Sequence, residues 1–350
     1  MSLKNKVLSK LKAIGQNRTL MNGALFSLFS FINRGFSFLL LMILANYIEP
    51  GEYGYLSLFS TVVMVIGYFI SMSTDGYMTI SYFKEGELGI KNATSALLLI
   101  TSVLTTLFML TLLLWGNQLS LLLNLPLNTL YLAVIICFFT VYTNENLHLF
   151  RVKERVKIYG VFSCSNAFLN FIVSILLVKT LLMGWEGRVY SQTLCYALFG
   201  IIGLFYLAKG NYIGRPNWNY MKGMLLWGIP LIPHLATNFI RQGCDRYIIN
   251  YFHTIDDVGL LSFALNLTNI IIMIGTGFNQ STSVDIYKIL GTKEITANEK
   301  KKLLSILRSQ IFKAYLFSSC AIVLSCYILI PILLPKYAES MNYFLILGVY

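Results

Sequence analysis

Two arginines lie inside long apolar stretches of the sequence, each in a row of polar residues at helical spacing. Arg34 shares a helical face with Ser30 and Ser37. Arg241 shares one with His234, Asn238 and Asp245. Steps of three and four residues keep side chains on one face of a helix. A guanidinium inside a bilayer costs at least a few kcal/mol unless it meets water, a partner or a substrate. Its planar fork of donors suits phosphate groups. The two rows therefore predict a cavity that accepts an anion.

Two other titratable residues in apolar stretches allow two interpretations each. Asp75 could carry a proton or a sodium ion, or it could neutralise Arg34 as a structural partner. His234 could titrate as part of ion coupling, although a hydrogen-bonded interior histidine is the commoner case. The residue types alone leave both pairs of alternatives open.

Three further charged residues lie toward the ends of apolar stretches. For Asp245 and Arg246, a local salt bridge or a charged head that reaches the interface competes with substrate contact. Glu145 precedes the basic segment Arg151–Lys157 and indicates an interfacial cluster, with a role at the cytoplasmic mouth of a cavity as the alternative.

The sequence repeats itself at an offset of 205 residues (259 − 54). The segment from Glu52 to Ser57, EYGYLS, recurs from Asp257 to Ser262 as DVGLLS. From each copy a row continues at steps of four and three residues: Ser57, Thr61, Met64, Tyr68, Ser71 and Asp75 in the first, and Ser262, Asn266, Asn269, Met273, Thr276 and Gln280 in the second. Each row lies on one helical face. Two membrane repeats that both line something polar are typical of a transporter.

Composition excludes a soluble protein. The chain is 56% hydrophobic and 12% charged, with a mean hydropathy of +0.67, whereas soluble domains are about 25% charged. We predict an all-α polytopic membrane protein with ten spans: 20–45, 55–80, 93–115, 128–148, 159–182, 189–208, 223–250, 258–284, 311–334 and 340–350, the last incomplete. All six cysteines fall within these spans without a CxxC pair, so neither a disulfide nor a metal site is expected.

The distribution of the net charge of +12 indicates membrane orientation rather than nucleic-acid binding. With a cytoplasmic N-terminus, three Lys and Arg residues lie at the outer face and three within spans, which leaves 21 of the 27 on the cytoplasmic side. This asymmetry follows the positive-inside rule. We therefore predict a multi-pass membrane protein with a cytoplasmic N-terminus, in contact with membrane lipids and with no nucleic-acid partner; the resemblance given below implies that the membrane is a bacterial inner membrane.

The spans group into two lobes. We predict a basic cytoplasmic N-terminus over 1–19, a six-helix N-lobe over 20–208, a cytoplasmic connection over 209–222 and a C-lobe over 223–350. Both repeats enter from the cytoplasmic side, so they are parallel and related by an axis along the membrane normal. The C-lobe holds about four helices where the repeat calls for six, and we expect the sequence to be truncated.

Motifs for catalysis are missing from the sequence. It contains no Walker A sequence, no HExxH and no GxSxG. The predicted outer loops are too short for the catalytic residues of a membrane polymerase. We therefore expect a protein that is not an enzyme and needs no cofactor or metal.

Three stretches resemble the Wzx-type polysaccharide repeat-unit flippases of the multidrug/oligosaccharidyl-lipid/polysaccharide exporter superfamily. They run from Arg34 to Gly54 (RGFSFLLLMILANYIEPGEYG), from Trp227 to Pro233 (WGIPLIP), and from Asp245 to Phe252 (DRYIINYF) into the second repeat. The resemblance extends over the whole chain. It implies two helical lobes around a central cavity, as in MATE transporters and the peptidoglycan-precursor flippase.

The resemblance also implies a substrate, namely an oligosaccharide on undecaprenyl pyrophosphate that alternating access moves from the inner to the outer leaflet. Such units are precursors of O-antigen lipopolysaccharide, capsule or exopolysaccharide, and a glycan polymerase and a chain-length regulator are the expected partners. On this interpretation Arg34 and Arg241 hold the pyrophosphate, while the repeated polar rows bind sugars. The alternatives are a multidrug or cation exporter, a peptidoglycan-precursor flippase and, with least support, a membrane-embedded polysaccharide polymerase.

Overall fold

A computed structural model describes residues 18–72, 74–291 and 297–349, and these residues form helices and short connections with no strand among them. Eight helical stretches within the described residues are long and apolar enough to cross a membrane. The predicted all-α polytopic class is therefore confirmed.

Twelve α-helices follow one another along the described residues. They are α1 Arg18–Ala45, α2 Pro50–Ser71, α3 Thr74–Leu123, α4 Leu127–Val152, α5 Val156–Ile175, α6 Gly184–Lys209, α7 Trp218–Gly228, α8 Leu231–Gln242, α9 Cys244–Phe252, α10 Ile255–Gly291, α11 Ala297–Leu333 and α12 Ser340–Val349. A π-helical turn, Leu176–Thr180, extends α5, and a 3-10 turn, Pro335–Tyr337, precedes α12.

The predicted second span does not run unbroken from 55 to 80. Helix α2 ends at Ser71, and Met72 has a positive φ of 46°. The chain then re-enters a helix at Thr74, and α3 continues to Leu123 through a break at Gly86 (φ 63°, ψ −134°). Glycine adopts this left-handed conformation without a Cβ clash. The charged segment predicted as a loop between the second and third spans is therefore mostly helical.

The predicted seventh span is divided into three short helices. Helix α7 ends at Gly228, Pro230 caps the start of α8, and Pro233 lies in the first turn of α8. This break is the kink that Pro230 and Pro233 predict from the sequence, because proline lacks the donor that a continuous helix needs. A second break at Gly243 (φ −123°, ψ −33°), which the sequence pattern did not indicate, separates α8 from α9.

Contacts divide the chain into two compact units. The first comprises Met1–Ile48 and Tyr55–Ile248. Within it α1 packs on α5, α4 packs on α6, and α3 packs on both α4 and α7. This unit ends at Ile248 rather than at the predicted connection 209–222, so the division into an N-lobe and a C-lobe stays a prediction.

The second unit comprises Glu49–Gly54 and Ile249–Tyr350. Helix α10 packs on α11 and α12. Three buried aromatic side chains form its centre: the Phe263 and Tyr337 ring centroids lie 4.5 Å apart, and the Tyr53 ring centroid lies 5.9 Å from each. Lys336 forms an ion pair with Glu49 beside them.

The helices that carry the sequence repeat begin at equivalent residues, α2 at Pro50 and α10 at Ile255. Both have a capping carboxylate at the third residue of the helix, which is the first residue of the motif. The Glu49 backbone N–H donates to the Glu52 carboxylate at 3.2 Å, and the Thr254 N–H donates to Asp257 at the same distance. Such capping satisfies backbone donors that the first turn leaves free. The 205-residue offset is therefore confirmed at the level of local structure.

Candidate functional site

The polar row on α1 lies on the exposed side of the helix. Arg34 and Ser37 are exposed and Ser30 is half-buried. The Ser37 hydroxyl donates to the backbone carbonyl of Asn33 at 3.1 Å. Within the described residues the Arg34 guanidinium forms no ion pair or hydrogen bond, and the Asp75 side chain lies outside the described part of the chain. Arg34 therefore presents its donors outward from the middle of an apolar helix.

The polar row on α8 resembles that on α1. Arg241 is exposed, and its Nη2 lies 3.5 Å from the Asn238 side-chain oxygen. The Arg241 charge also acts on Tyr68 near the end of α2, so α8 and this end of α2 are neighbours. His234 is exposed one helical turn before Asn238. The structure thus brings together Arg241, Asn238 and Tyr68 from two rows that the sequence placed in separate repeats.

The break at Gly243 separates Asp245 and Arg246 from the row on α8. Asp245 is exposed, so the predicted continuous face from His234 to Asp245 ends at Arg241. Arg246 turns toward α2, where its Nη1 donates to the Thr61 hydroxyl at 2.8 Å. Gly243 allows this close approach to α2, because a Cβ there would lie 2.8 Å from the Thr61 methyl group. Arg246 therefore ties α9 to α2.

The row on α2 is partly enclosed. Ser57 and Thr61 are buried, whereas Tyr68 and Ser71 are half-buried. The helix ends at Ser71, and Asp75 lies on α3, so the predicted continuous face of α2 does not reach Asp75. Beside Thr61 lies an apolar cavity of about 420 Å³, and a role of this residue in binding sugars stays a prediction.

The equivalent row on α10 is open toward its middle. Ser262 is buried, and the Asn266 amide donates to the Tyr53 hydroxyl at 2.7 Å. Asn269 and Thr276 are exposed, and the Gln280 side chain lies outside the described residues. Asn269 and Thr276 are therefore the described members of this row whose polar side chains are exposed.

Glu145 is only 1% exposed, so it is enclosed by protein, and its predicted place in an interfacial cluster stays a prediction. Gly203 of α6 explains the burial, because a Cβ there would come within 2.6 Å of the neighbouring Asn146 amide. The close approach of α6 to α4 encloses this part of α4. Eight residues further along, just past the end of α4, the Lys153 ammonium lies 2.6 Å from the Glu87 carboxylate and also donates to Tyr212.

Sequence reasoning missed a polar cavity of about 230 Å³ inside the first unit, between α1, α4, α5 and α6. Arg188 at the start of α6 donates to the Asn170 side-chain oxygen and, at 2.8 Å, to Ser174. Asn33 of α1 donates to Ser163 of α5 across the same cavity. Asn33 falls in the first predicted apolar span, and Asn166 and Asn170 both fall in the fifth. These amides inside apolar spans were the available signal.

The chain matches the model of the family described as "Polysaccharide biosynthesis protein" over residues 19–284. No curated protein matches it significantly in sequence. Solved structures do match in fold. An inward-facing multidrug resistance MATE family transporter of the MOP superfamily aligns over 90% of this chain and 74% of its own, at a TM-score of 0.66 and 15% identity.

Two further solved structures agree. A MATE transporter in the straight conformation aligns over 92% of this chain and 77% of its own, with a TM-score of 0.54 and 14% identity. An outward-facing multidrug resistance MATE family transporter of the MOP superfamily aligns over 93% of this chain and 84% of its own, with a TM-score of 0.52 and 14% identity. The predicted MATE-like fold is therefore confirmed. On the match over most of its length, the chain belongs to the polysaccharide biosynthesis protein family.

Proposed function

We propose that this protein is a flippase for oligosaccharide units linked to undecaprenyl pyrophosphate, which it moves between the leaflets of a bacterial plasma membrane by alternating access. One observation carries the proposal. Arg34 and Arg241 are exposed guanidiniums on apolar helices, and neither forms an ion pair within the described residues. A membrane helix keeps such a charge where it meets water or an anion.

The pyrophosphate is the anion that these side chains suit best. Each guanidinium offers parallel donors that match two phosphate oxygens, and it stays charged in a low dielectric. Arg241 has a neutral amide as its hydrogen-bond partner at 3.5 Å, so an arriving phosphate does not have to displace a carboxylate. A cation carrier would instead place acids on these two faces.

The neighbouring polar groups suit sugars. Ser30 and Ser37 flank Arg34, and Asn238 lies one turn from Arg241. Hydroxyl and amide groups both donate and accept hydrogen bonds, so they bind sugar hydroxyls without requiring one particular sugar. On α1 the side chains of Leu28, Phe31 and Leu39 are at least 50% exposed, and such apolar surface is where a prenyl chain would remain in lipid.

Ion coupling belongs to the same proposal. His234 is exposed on the helix face that carries Arg241, so protonation there would change the charge that the substrate meets. Asp75 follows the break between α2 and α3, and we keep it as the second candidate. The N-terminus is proposed to be cytoplasmic, with a glycan polymerase and a chain-length regulator as partners in the membrane.

The test uses a bacterial strain that lacks its own flippase. Wild type, Arg34→Ala and Arg241→Ala are expressed at matched membrane levels, with Arg215→Ala, an exposed arginine between helices, as the control. Surface glycan and lipid-linked oligosaccharide on the cytoplasmic leaflet are measured. We expect export by wild type and by the control, and accumulation of inward-facing intermediate in both other variants.

Normal export by Arg34→Ala and Arg241→Ala would show that the two arginines are structural. Failure of wild type with every glycan tested, together with expulsion of cationic dyes, would favour a multidrug exporter instead. Transport of the peptidoglycan precursor alone would retain the anionic head group and change the glycan.

A further inference from the structure

We infer that the polar cavity between α1, α4, α5 and α6 binds one sugar residue, the one joined directly to the pyrophosphate. This inference rests on the proposed function and adds the place where the first sugar is bound. The cavity holds about 230 Å³. That is less than the about 300 Å³ at which pockets for drug-sized ligands begin, and it equals about eight water molecules at about 30 Å³ each. A single sugar ring is a ligand of that scale.

The lining offers hydrogen-bonding groups that the protein does not use itself. Asn144, Asn166 and Gln192 line the cavity, and their side chains make no hydrogen bond within the described residues. The Asn33 side-chain oxygen is completely buried and also has no partner there. Buried polar groups in proteins are nearly always hydrogen-bonded, so the Asn33 oxygen is the group that needs a partner most. The Asn166 and Gln192 amides are half-buried and the Asn144 amide is exposed, so a ligand can reach them. A ligand rich in hydroxyl groups would supply the missing partners.

Amides match hydroxyls better than they match an ion. Each amide has an acceptor oxygen and two donors, and a sugar hydroxyl both donates and accepts. No Asp or Glu is among the residues that line the cavity, so its described lining is a poor place for a bare cation. Phe36 and Tyr196 add aromatic faces to the lining, on which the C–H face of a sugar ring can pack.

The Arg188 network holds one wall of the cavity in place. The guanidinium donates to Asn170, Ser174 and Ser191, and the Ser174 and Ser191 hydroxyls lie 2.6 Å apart. A charge-assisted network of this kind fixes side-chain geometry. It joins α5 to α6 at one end of the cavity, so the amides near it keep a defined spacing for a ligand.

The position of Arg34 identifies which sugar would enter. Ser37 lines the cavity and lies one helical turn from Arg34, and Asn33, which also lines it, is adjacent to Arg34 in sequence. Ser37 and Asn144 are both exposed, so the cavity opens beside them. A pyrophosphate bound at Arg34 therefore places the sugar attached to it at this opening.

The experiment measures ligand binding to the full chain in lipid nanodiscs by saturation-transfer NMR. The probes are glucose 1-phosphate, galactose 1-phosphate, mannose 1-phosphate and inorganic phosphate. The variants are Asn166→Leu and Gln192→Leu, each removing one unused amide from a different helix. Asn117→Leu, an exposed amide on α3, is the matched control, and size-exclusion profiles establish that each variant is folded.

We expect at least one sugar phosphate to bind wild type more tightly than inorganic phosphate does. Each cavity variant should weaken that binding about tenfold, because a hydroxyl loses its partner in a buried site. Phosphate binding and the control should be unchanged. Wild type that prefers no sugar phosphate, or cavity variants that both bind as wild type does, would overturn the inference.

The two proposals fail in different ways. If wild type exports glycan but its binding measurements show no preference for a sugar phosphate, the cavity is not a sugar site and the proposed flippase function stands. Selective binding that the cavity variants weaken, without export of any glycan, would retain the sugar site and remove the proposed transport.

Discussion

Replacing Gly259 by alanine should destabilise the protein, because two helices touch through their backbones at this residue. A Cβ at Gly259 would fall on the carbonyl oxygen of Pro50, and a Cβ at Gly54 would fall on that of Ile255. These contacts are equivalent under the 205-residue offset, since 50 + 205 = 255 and 54 + 205 = 259. The first turns of α2 and α10 therefore meet in a pseudo-symmetric glycine contact.

The magnitude follows from what blocks the added methyl group. Overpacking costs about 1–3 kcal/mol, and a backbone carbonyl yields less than a flexible side chain, so we take about 3 kcal/mol. Glycine to alanine in a helix returns about 0.5–1 kcal/mol. The net loss for Gly259→Ala is about 2 kcal/mol, or about thirtyfold in the unfolding equilibrium.

Gly35 provides the matched control, because nothing lies within 4 Å of a Cβ built there. Gly35→Ala should show only the gain from replacing glycine by alanine in a helix, and so stabilise the protein by about 0.5–1 kcal/mol. The assay is unfolding in detergent, followed by circular dichroism across a denaturant series. In the double variant Gly54→Ala with Gly259→Ala the costs should not add, since one separation of the helices relieves both clashes. If Gly259→Ala is as stable as Gly35→Ala, the close contact is wrong.

Three further predictions concern polar contacts. Thr61→Val should cost about 1–3 kcal/mol in denaturant unfolding, because the buried Arg246 guanidinium loses an acceptor at 2.8 Å; no loss would show that this bond contributes nothing. Lys153→Met should destabilise the protein by about 1–2 kcal/mol, and by less in a Glu87→Gln background, where only the bond to Tyr212 is left to lose; fully additive losses would contradict this. Burial alone would lower the pKa of Lys153, but its hydrogen bonds raise that pKa above the usual lysine value. The contribution of Lys153 to the free energy of unfolding should therefore be complete below about pH 10.4 and disappear as the pH rises further. Thr254→Ala should cost about 1 kcal/mol by removing the cap of α10, and unchanged unfolding would refute the cap.

The membrane class, most of the spans and the repeat followed from the sequence because they depend on apolar length and on a repeated motif. The kink at Pro230 followed because proline removes a backbone donor whatever the context. The breaks at Met72 and Gly243 did not follow. Neither methionine nor a single glycine marks a helix end by itself, and the tertiary contacts of α2 and α9 determine those positions.

The candidate site was only partly accessible from the sequence. Helical spacing placed Arg34 and Arg241 beside polar neighbours in a predicted cavity; both side chains are exposed, and the cavity stays a prediction. Spacing gives no information on which face a neighbouring helix covers, so it could not show that Glu145 is buried. The same limit hid the cavity lined by Asn33 and Asn166, because four helices that are distant in sequence contribute to it.

The most direct test of the central claim is a flipping measurement with the purified chain in liposomes. Undecaprenyl-pyrophosphate-linked oligosaccharide is present in both leaflets, and a glycan hydrolase that cannot cross the bilayer trims the outward-facing half. With wild type, nearly all of the lipid-linked glycan should become susceptible, whereas with the Arg34→Ala, Arg241→Ala double variant about half should stay protected. If wild type leaves the same protected half as liposomes without protein, this chain does not flip the substrate.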